Sequence, residues 1–163
     1  MPSDGANCPQ QYLDEWATYS QKHEAEFRYI DNSKENSEEE LLKLSNANIL
    51  AITGGNTFKL LHNLRKSGLD KAIKEFSRKE EFVLAGFSAG ALILTPTIKI
   101  CSLPDFDDNE VDLKDLTGLG IVDFEVFPHY SEGEHKELLS TYRNQSEYEV
   151  KPITNEEYLV VDL

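Results

Sequence analysis

The sequence predicts an α/β fold, three layers with a mostly parallel sheet between helices, because short apolar runs alternate with amphipathic helical segments along most of the chain. Two further observations support this. The runs at 48–53 and 81–86 are nearly continuous in apolar character, the pattern of strands buried on both faces. Each ends in a glycine-containing turn that leads directly into a helical segment: Gly54-Gly55-Asn56-Thr57 after the first, Gly86-Phe87-Ser88-Ala89-Gly90 after the second.

The elements follow in order. Residues 1–11 are rich in Pro, Ser, Asp, Gly, Asn and Gln, which is loop chemistry, so the domain is expected to open in mid-fold. Tyr12, Trp16, Tyr19 and His23 recur at helical spacing, and Phe27-Arg28-Tyr29-Ile30 alternates like a short strand. A polar turn precedes Ser37 and Glu40, a capping-box pair that opens an acidic helix over 38–44. After the first buried strand, Leu60, Leu61 and Leu64 mark a helix that stops near Gly68. A second helix covers 69–76, the second buried strand follows, and Ala91 to Leu94 continue as an apolar helix that Pro96 ends. Residues 104–114 form an acidic loop. A strand is expected at 124–127, a short helix at 134–142, a strand at 147–151 and a last strand over Tyr158-Leu159-Val160-Val161.

Composition narrows the function. A chain of 163 residues with 39% hydrophobic residues suits one domain with one core. The net charge of −14 repels phosphate backbones and anionic headgroups, which argues against nucleic acid or a membrane surface as partner. There is no run of roughly 20 apolar residues to span a bilayer and no basic-then-apolar leader pattern, so the expected location is the cytoplasm. Cys8 and Cys101 lie far apart without ligand spacing, and His23, His62 and His135 sit in polar stretches as surface histidines. No metal or cofactor is expected.

Gly86-Phe87-Ser88-Ala89-Gly90 fits the G-x-S-x-G elbow, in which a strained strand-to-helix turn lifts the serine hydroxyl above the sheet edge. The glycines are needed because so tight a turn leaves no room for side chains on its flanks. The same five residues could be a packing turn; the buried strand before and the apolar helix after favour a nucleophile. Serine needs a base within hydrogen-bond reach, and His129, just past a predicted strand end, is the histidine that a parallel sheet would bring to the same edge. Gly55 in the preceding turn and Ala89 after the serine could offer backbone N–H groups to an oxyanion. Asn56 and Thr57 are either substrate contacts or helix caps. α/β-hydrolases place an acid between serine and histidine and separate those two by a far longer stretch; because His129 follows Ser88 by only 41 positions, a third group is expected from the C-terminal end near Asn155-Glu156-Glu157.

Four segments, Ile52-Thr53-Gly54-Gly55-Asn56-Thr57-Phe58, Gly86-Phe87-Ser88-Ala89-Gly90-Ala91, Pro96-Thr97-Ile98 and Pro128-His129-Tyr130, together resemble in order and spacing the dipeptidase E (aspartyl dipeptidase) and cyanophycinase family. The resemblance implies a class I glutamine amidotransferase-like fold with serine where amidotransferases carry cysteine. It further implies a Ser-His-acid triad acting without a metal on small peptides whose scissile bond follows an aspartyl residue. Two departures stand out. The family begins with a core strand ahead of the point where this chain starts, so the resemblance implies a domain incomplete at its N-terminus, with Met1-Pro2-Ser3 matching a strand end and homo-oligomers as one consequence. The family's triad acid aligns with Asn155, with Glu156 or Glu157 as substitutes. The competing expectation is therefore a catalytically impaired relative that binds small molecules or serves as an interaction domain.

Overall fold

The computed structural model describes all 163 residues, and it is α/β with parallel strands, as predicted. Six helices, α1 (Gln10–Lys22), α2 (Glu38–Ser45), α3 (Thr57–Ser67), α4 (Leu69–Phe76), α5 (Ala89–Leu94) and α6 (Glu132–Arg143), accompany four strands, β1 (Ile49–Ile52), β2 (Val83–Gly86), β3 (Glu125–Phe127) and β4 (Val150–Pro152). β1 pairs in parallel with β2, Ile52 opposite Gly86, and β3 pairs in parallel with β4, Phe127 opposite Pro152. The single sheet expected from the sequence is thus divided into two parallel pairs with no ladder between β2 and β3. Thr53 N–H donates to Met1 O at 2.9 Å, so the first residues run along the free side of β1.

The core lies between these strands and α2 to α5. Leu60, Leu61 and Leu64 of α3, Leu69 and Ile73 of α4 and Ile93 of α5 are fully buried against Ile52 and Phe127. Helix starts follow local chemistry: Ser37 accepts from the Glu40 N–H and Asn56 from the Lys59 N–H, while Gly68, at φ +78°, closes α3 in the left-handed conformation and opens α4. Glu40, at 1% exposure, accepts hydrogen bonds from the Asp31 N–H, Lys34 Nζ and Lys43 Nζ, which ties the 31–37 turn onto α2.

Three strand expectations need correction. Residues 27–30 form no strand; Ile30 is buried and the Tyr29 hydroxyl donates to Gly5 O at 2.6 Å, so the segment is fixed by side chains instead of a ladder. β4 begins only at Val150, because Glu149 is the first residue of that segment whose carbonyl meets β3, through the Glu125 N–H. Tyr158 to Val161 have strand-like residues but no neighbouring strand to pair with, and Tyr158 and Val160 are more than 80% exposed. His135 is also more than a surface residue: its Nδ1 accepts from the Ser131 N–H at the start of α6, and its ring packs on Phe127 and Tyr130.

Candidate active site

The C-terminal ends of β1 and β2 lie side by side, so the two turns predicted to matter are neighbours. A Cβ added to Gly54 would stand 3.4 Å from the Ser88 Cβ. The elbow is as tight as its glycines imply: a Cβ on Gly90 would meet Ile52 O at 2.0 Å, and one on Gly86 would meet the Gly90 and Ala91 backbone below 3 Å. Ser88 itself is held at φ +52°, ψ −114°, a conformation that costs a non-glycine residue about 1–3 kcal/mol and that the surrounding packing must impose.

His129, at φ +56°, follows β3 through Pro128 and turns its ring toward the elbow. The Ser88 Oγ lies 2.8 Å from its Nε2, and the Asn155 Oδ1 lies 2.5 Å from its Nδ1. An amide oxygen only accepts, so Nδ1 carries the ring proton and Nε2 is left free to accept from the Ser88 hydroxyl. β4 runs parallel to β3 and leads into the 153–157 turn that carries Asn155, where Ile153 O accepts from the Tyr130 N–H at 3.0 Å. Of the three candidates at that end, Asn155 faces the histidine. Glu157 instead accepts from the Thr154 N–H, a bond that lowers its pKa and steadies the turn, while Glu156 is exposed with no partner.

The Gly55 and Ala89 N–H groups, in the turns that follow β1 and β2, donate to no acceptor within the chain. Gly55 sits at φ +117° with Ser3 packed where a side chain would project. Asn56 and Thr57 are committed to structure: Asn56 caps α3 and donates to Asp108 O, and the Thr57 N–H donates to an Asp107 carboxylate oxygen at 2.7 Å. The acidic loop is thereby anchored onto the start of α3. Cys101, close under Thr57, is buried, and burial pushes its thiol up to about 12. Glu125, buried on β3 with only the Tyr142 and Ser146 hydroxyls as partners, has its pKa raised by burial.

Sequence reasoning missed the aromatic flank of the site. Phe87, half exposed beside Ser88, meets Trp16 of α1 edge-on at 6.1 Å, and Trp16 meets Tyr12 at 6.5 Å. The helical spacing of Tyr12, Trp16 and Tyr19 was legible; that α1 lies against the elbow was not.

The model of peptidase family S51 matches residues 5–162. The chain belongs to peptidase family S51. Among relatives, it is 34% identical to an uncharacterized peptidase of Listeria monocytogenes over 81% of this chain, and 32% identical to one of Pasteurella multocida over 74%. It spans 65% and 58% of the length of these two curated relatives. Peptidase E of Escherichia coli is 32% identical over 54% of this chain and 36% of its own. A crystal structure from Listeria monocytogenes EGD-e, assigned by its authors to a peptidase E candidate, superposes with a TM-score of 0.75 at 29% identity, covering 95% of this chain and 75% of that one. No helix of this S51 chain is long and apolar enough to cross a membrane.

Proposed function

We propose that this chain is a serine-type hydrolase of small peptides, with Ser88 as nucleophile, His129 as general base and acid, and Asn155 as the group that orients the imidazole. The observation that carries the reading is the continuous chain of contacts from Ser88 Oγ through both ring nitrogens of His129 to Asn155 Oδ1. Membership of a peptidase family agrees with it.

Ser88 Oγ attacks the carbonyl carbon of the scissile bond while its proton passes to His129 Nε2. The carbonyl π electrons move to oxygen, and the resulting oxyanion takes the N–H groups of Gly55 and Ala89. Collapse of this tetrahedral species breaks the C–N bond, and His129 gives its proton to the departing amine. Water then attacks the Ser88 ester carbonyl, losing a proton to His129; collapse of this second tetrahedral species breaks the C–Oγ bond, His129 returns the proton to Ser88 Oγ, and the carboxylic acid product leaves. Throughout, the imidazolium forms beside a neutral amide. Asn155 fixes the tautomer but brings no negative charge, so the rate is expected to fall below that of a site with a carboxylate at this position. The same feature favours the second reading, an impaired relative that binds peptides without turning them over.

The test is hydrolysis of a panel of dipeptides by this chain and by its Ser88→Ala variant, both shown to be folded by circular dichroism. Turnover present in the first and absent in the second supports the proposal; equal inactivity with every peptide supports the binding-only alternative.

A further inference from the structure

Residues 128–131 connect β3 to α6, and His129 stands second among them with φ at +56°. A left-handed conformation is unfavourable for a residue with a side chain and persists where the surroundings impose it. Two sets of contacts do so here. On the side of β4, Ile153 brackets the turn: its N–H donates to Phe127 O at 2.9 Å, and its carbonyl accepts from the Tyr130 N–H at 3.0 Å. On the side of α6, His135 holds the same two residues and one more. Its ring centroid lies 5.3 Å from that of Phe127 and 6.2 Å from that of Tyr130, and its Nδ1 accepts from the Ser131 N–H at 3.0 Å.

The last of these contacts is reciprocal, because the His135 N–H donates to Ser131 O at 2.8 Å. The Ser131 side chain makes no capping bond, so the imidazole reaches back to the start of α6 much as the acidic member of a capping box does. For its Nδ1 to accept, the ring must be neutral with its proton on Nε2, the reverse of the arrangement in His129. Phe127, Tyr130 and Ser131 flank Pro128-His129 on both sides, so a side chain outside the Ser88–His129–Asn155 series governs where the turn begins and ends. Resting on the proposal that His129 is the base for Ser88, we infer that His135 is a positioning residue: its Nδ1, by holding the Ser131 N–H, keeps the 128–131 turn in the conformation that sets His129 Nε2 2.8 Å from Ser88 Oγ. It acts on the reaction only through His129. Without this acceptor the Ser131 N–H turns to water and the turn is free to relax, and a displacement of a catalytic group by about 1 Å can cost about a hundredfold in rate.

The experiment measures the rate of fluorophosphonate labelling at Ser88 in the intact parent, in His135→Phe and in His135→Asn, each shown to be folded by circular dichroism. Phenylalanine keeps a ring against Phe127 and Tyr130 but has no acceptor; the Oδ1 of asparagine can take the place of Nδ1. Labelling is expected to slow at least about tenfold in His135→Phe and to stay within about threefold of the parent in His135→Asn. Should His135→Phe not fold, His135→Leu, equally without an acceptor, takes its place. Rescue by asparagine separates a hydrogen-bonding role from mere packing, so a loss in His135→Asn as large as that in the variant without an acceptor overturns the inference. A labelled parent with the acceptor-free variant reacting at the same rate refutes the role of His135 alone, whereas an unlabelled parent refutes the serine mechanism and this inference with it.

Discussion

Replacing Asn155 by aspartate should raise the rate of peptide hydrolysis, and the size of the gain follows from the geometry. Asn155 Oδ1 already lies 2.5 Å from His129 Nδ1, so the substitution keeps the hydrogen bond and the tautomer and adds only charge. A carboxylate whose charge centre is about 4 Å from that of the imidazolium gains about 1 kcal/mol in a water-like medium and about 4 kcal/mol at an effective dielectric of about 20. His129 and Asn155 are both exposed, which places the site toward the weaker limit, at about 1–3 kcal/mol. That corresponds to a rise in kcat of about fivefold to 150-fold, because the imidazolium exists in the transition state and not in the resting enzyme. KM should change little. The assay is steady-state dipeptide hydrolysis by the parent, Asn155→Asp, Asn155→Ala and Asn155→Asp/Ser88→Ala proteins. Asn155→Ala should fall below the parent, since nothing then fixes the ring. A folded Asn155→Asp protein no faster than the parent would refute the assignment of His129 as the base held from this position.

Other consequences concern stability and the elbow. Gly90→Ala should destabilise the chain by at least about 2 kcal/mol in urea unfolding, since the new methyl meets the Ile52 carbonyl at 2.0 Å and backbone cannot swing aside, whereas Gly133→Ala, with nothing within 4 Å, should be neutral or slightly stabilising. For Glu40, burial favours the neutral acid, but hydrogen bonds from Lys34, Lys43 and the Asp31 N–H outweigh it and hold the folded pKa below the ordinary value. Its contribution is therefore present above the unfolded carboxylate pKa and lost as pH falls through the folded one. Glu40→Gln should cost about 1–2 kcal/mol at neutral pH, a drop in Tm of about 2–8 °C, with the difference from the parent shrinking in acid.

Much of this architecture was legible locally. The capping pair Ser37 and Glu40, the αL stop at Gly68 and the two glycine turns carry their own short-range signals, and each element they bound appears where expected. Ser88 and His129 could be paired because parallel strands put their C-terminal ends on one edge, a rule of topology that needs no contact information. What failed depends on partners distant in sequence. Phe27-Arg28-Tyr29-Ile30 and Tyr158-Leu159-Val160-Val161 have strand composition, yet a strand exists only where another offers a ladder, and neither segment meets one. The same limit hid the packing of Trp16 against Phe87 and the anchoring of the acidic loop on Asn56 and Thr57, both contacts across dozens of residues. Which of Asn155, Glu156 and Glu157 comes nearest His129 was not legible from spacing, because it depends on the course of the 153–157 turn, which brings Asn155 Oδ1 to 2.5 Å from His129 Nδ1 and leaves Glu157 on the Thr154 N–H.

The most direct test of the central claim is covalent labelling by a fluorophosphonate, followed by peptide mapping, of the parent protein and of its His129→Ala variant. An activated serine reacts only when a base removes its proton. Phosphonylation at Ser88 in the parent, abolished in the folded histidine variant, is the result this account predicts; an unlabelled parent, or labelling of Ser88 that survives loss of His129, would contradict it.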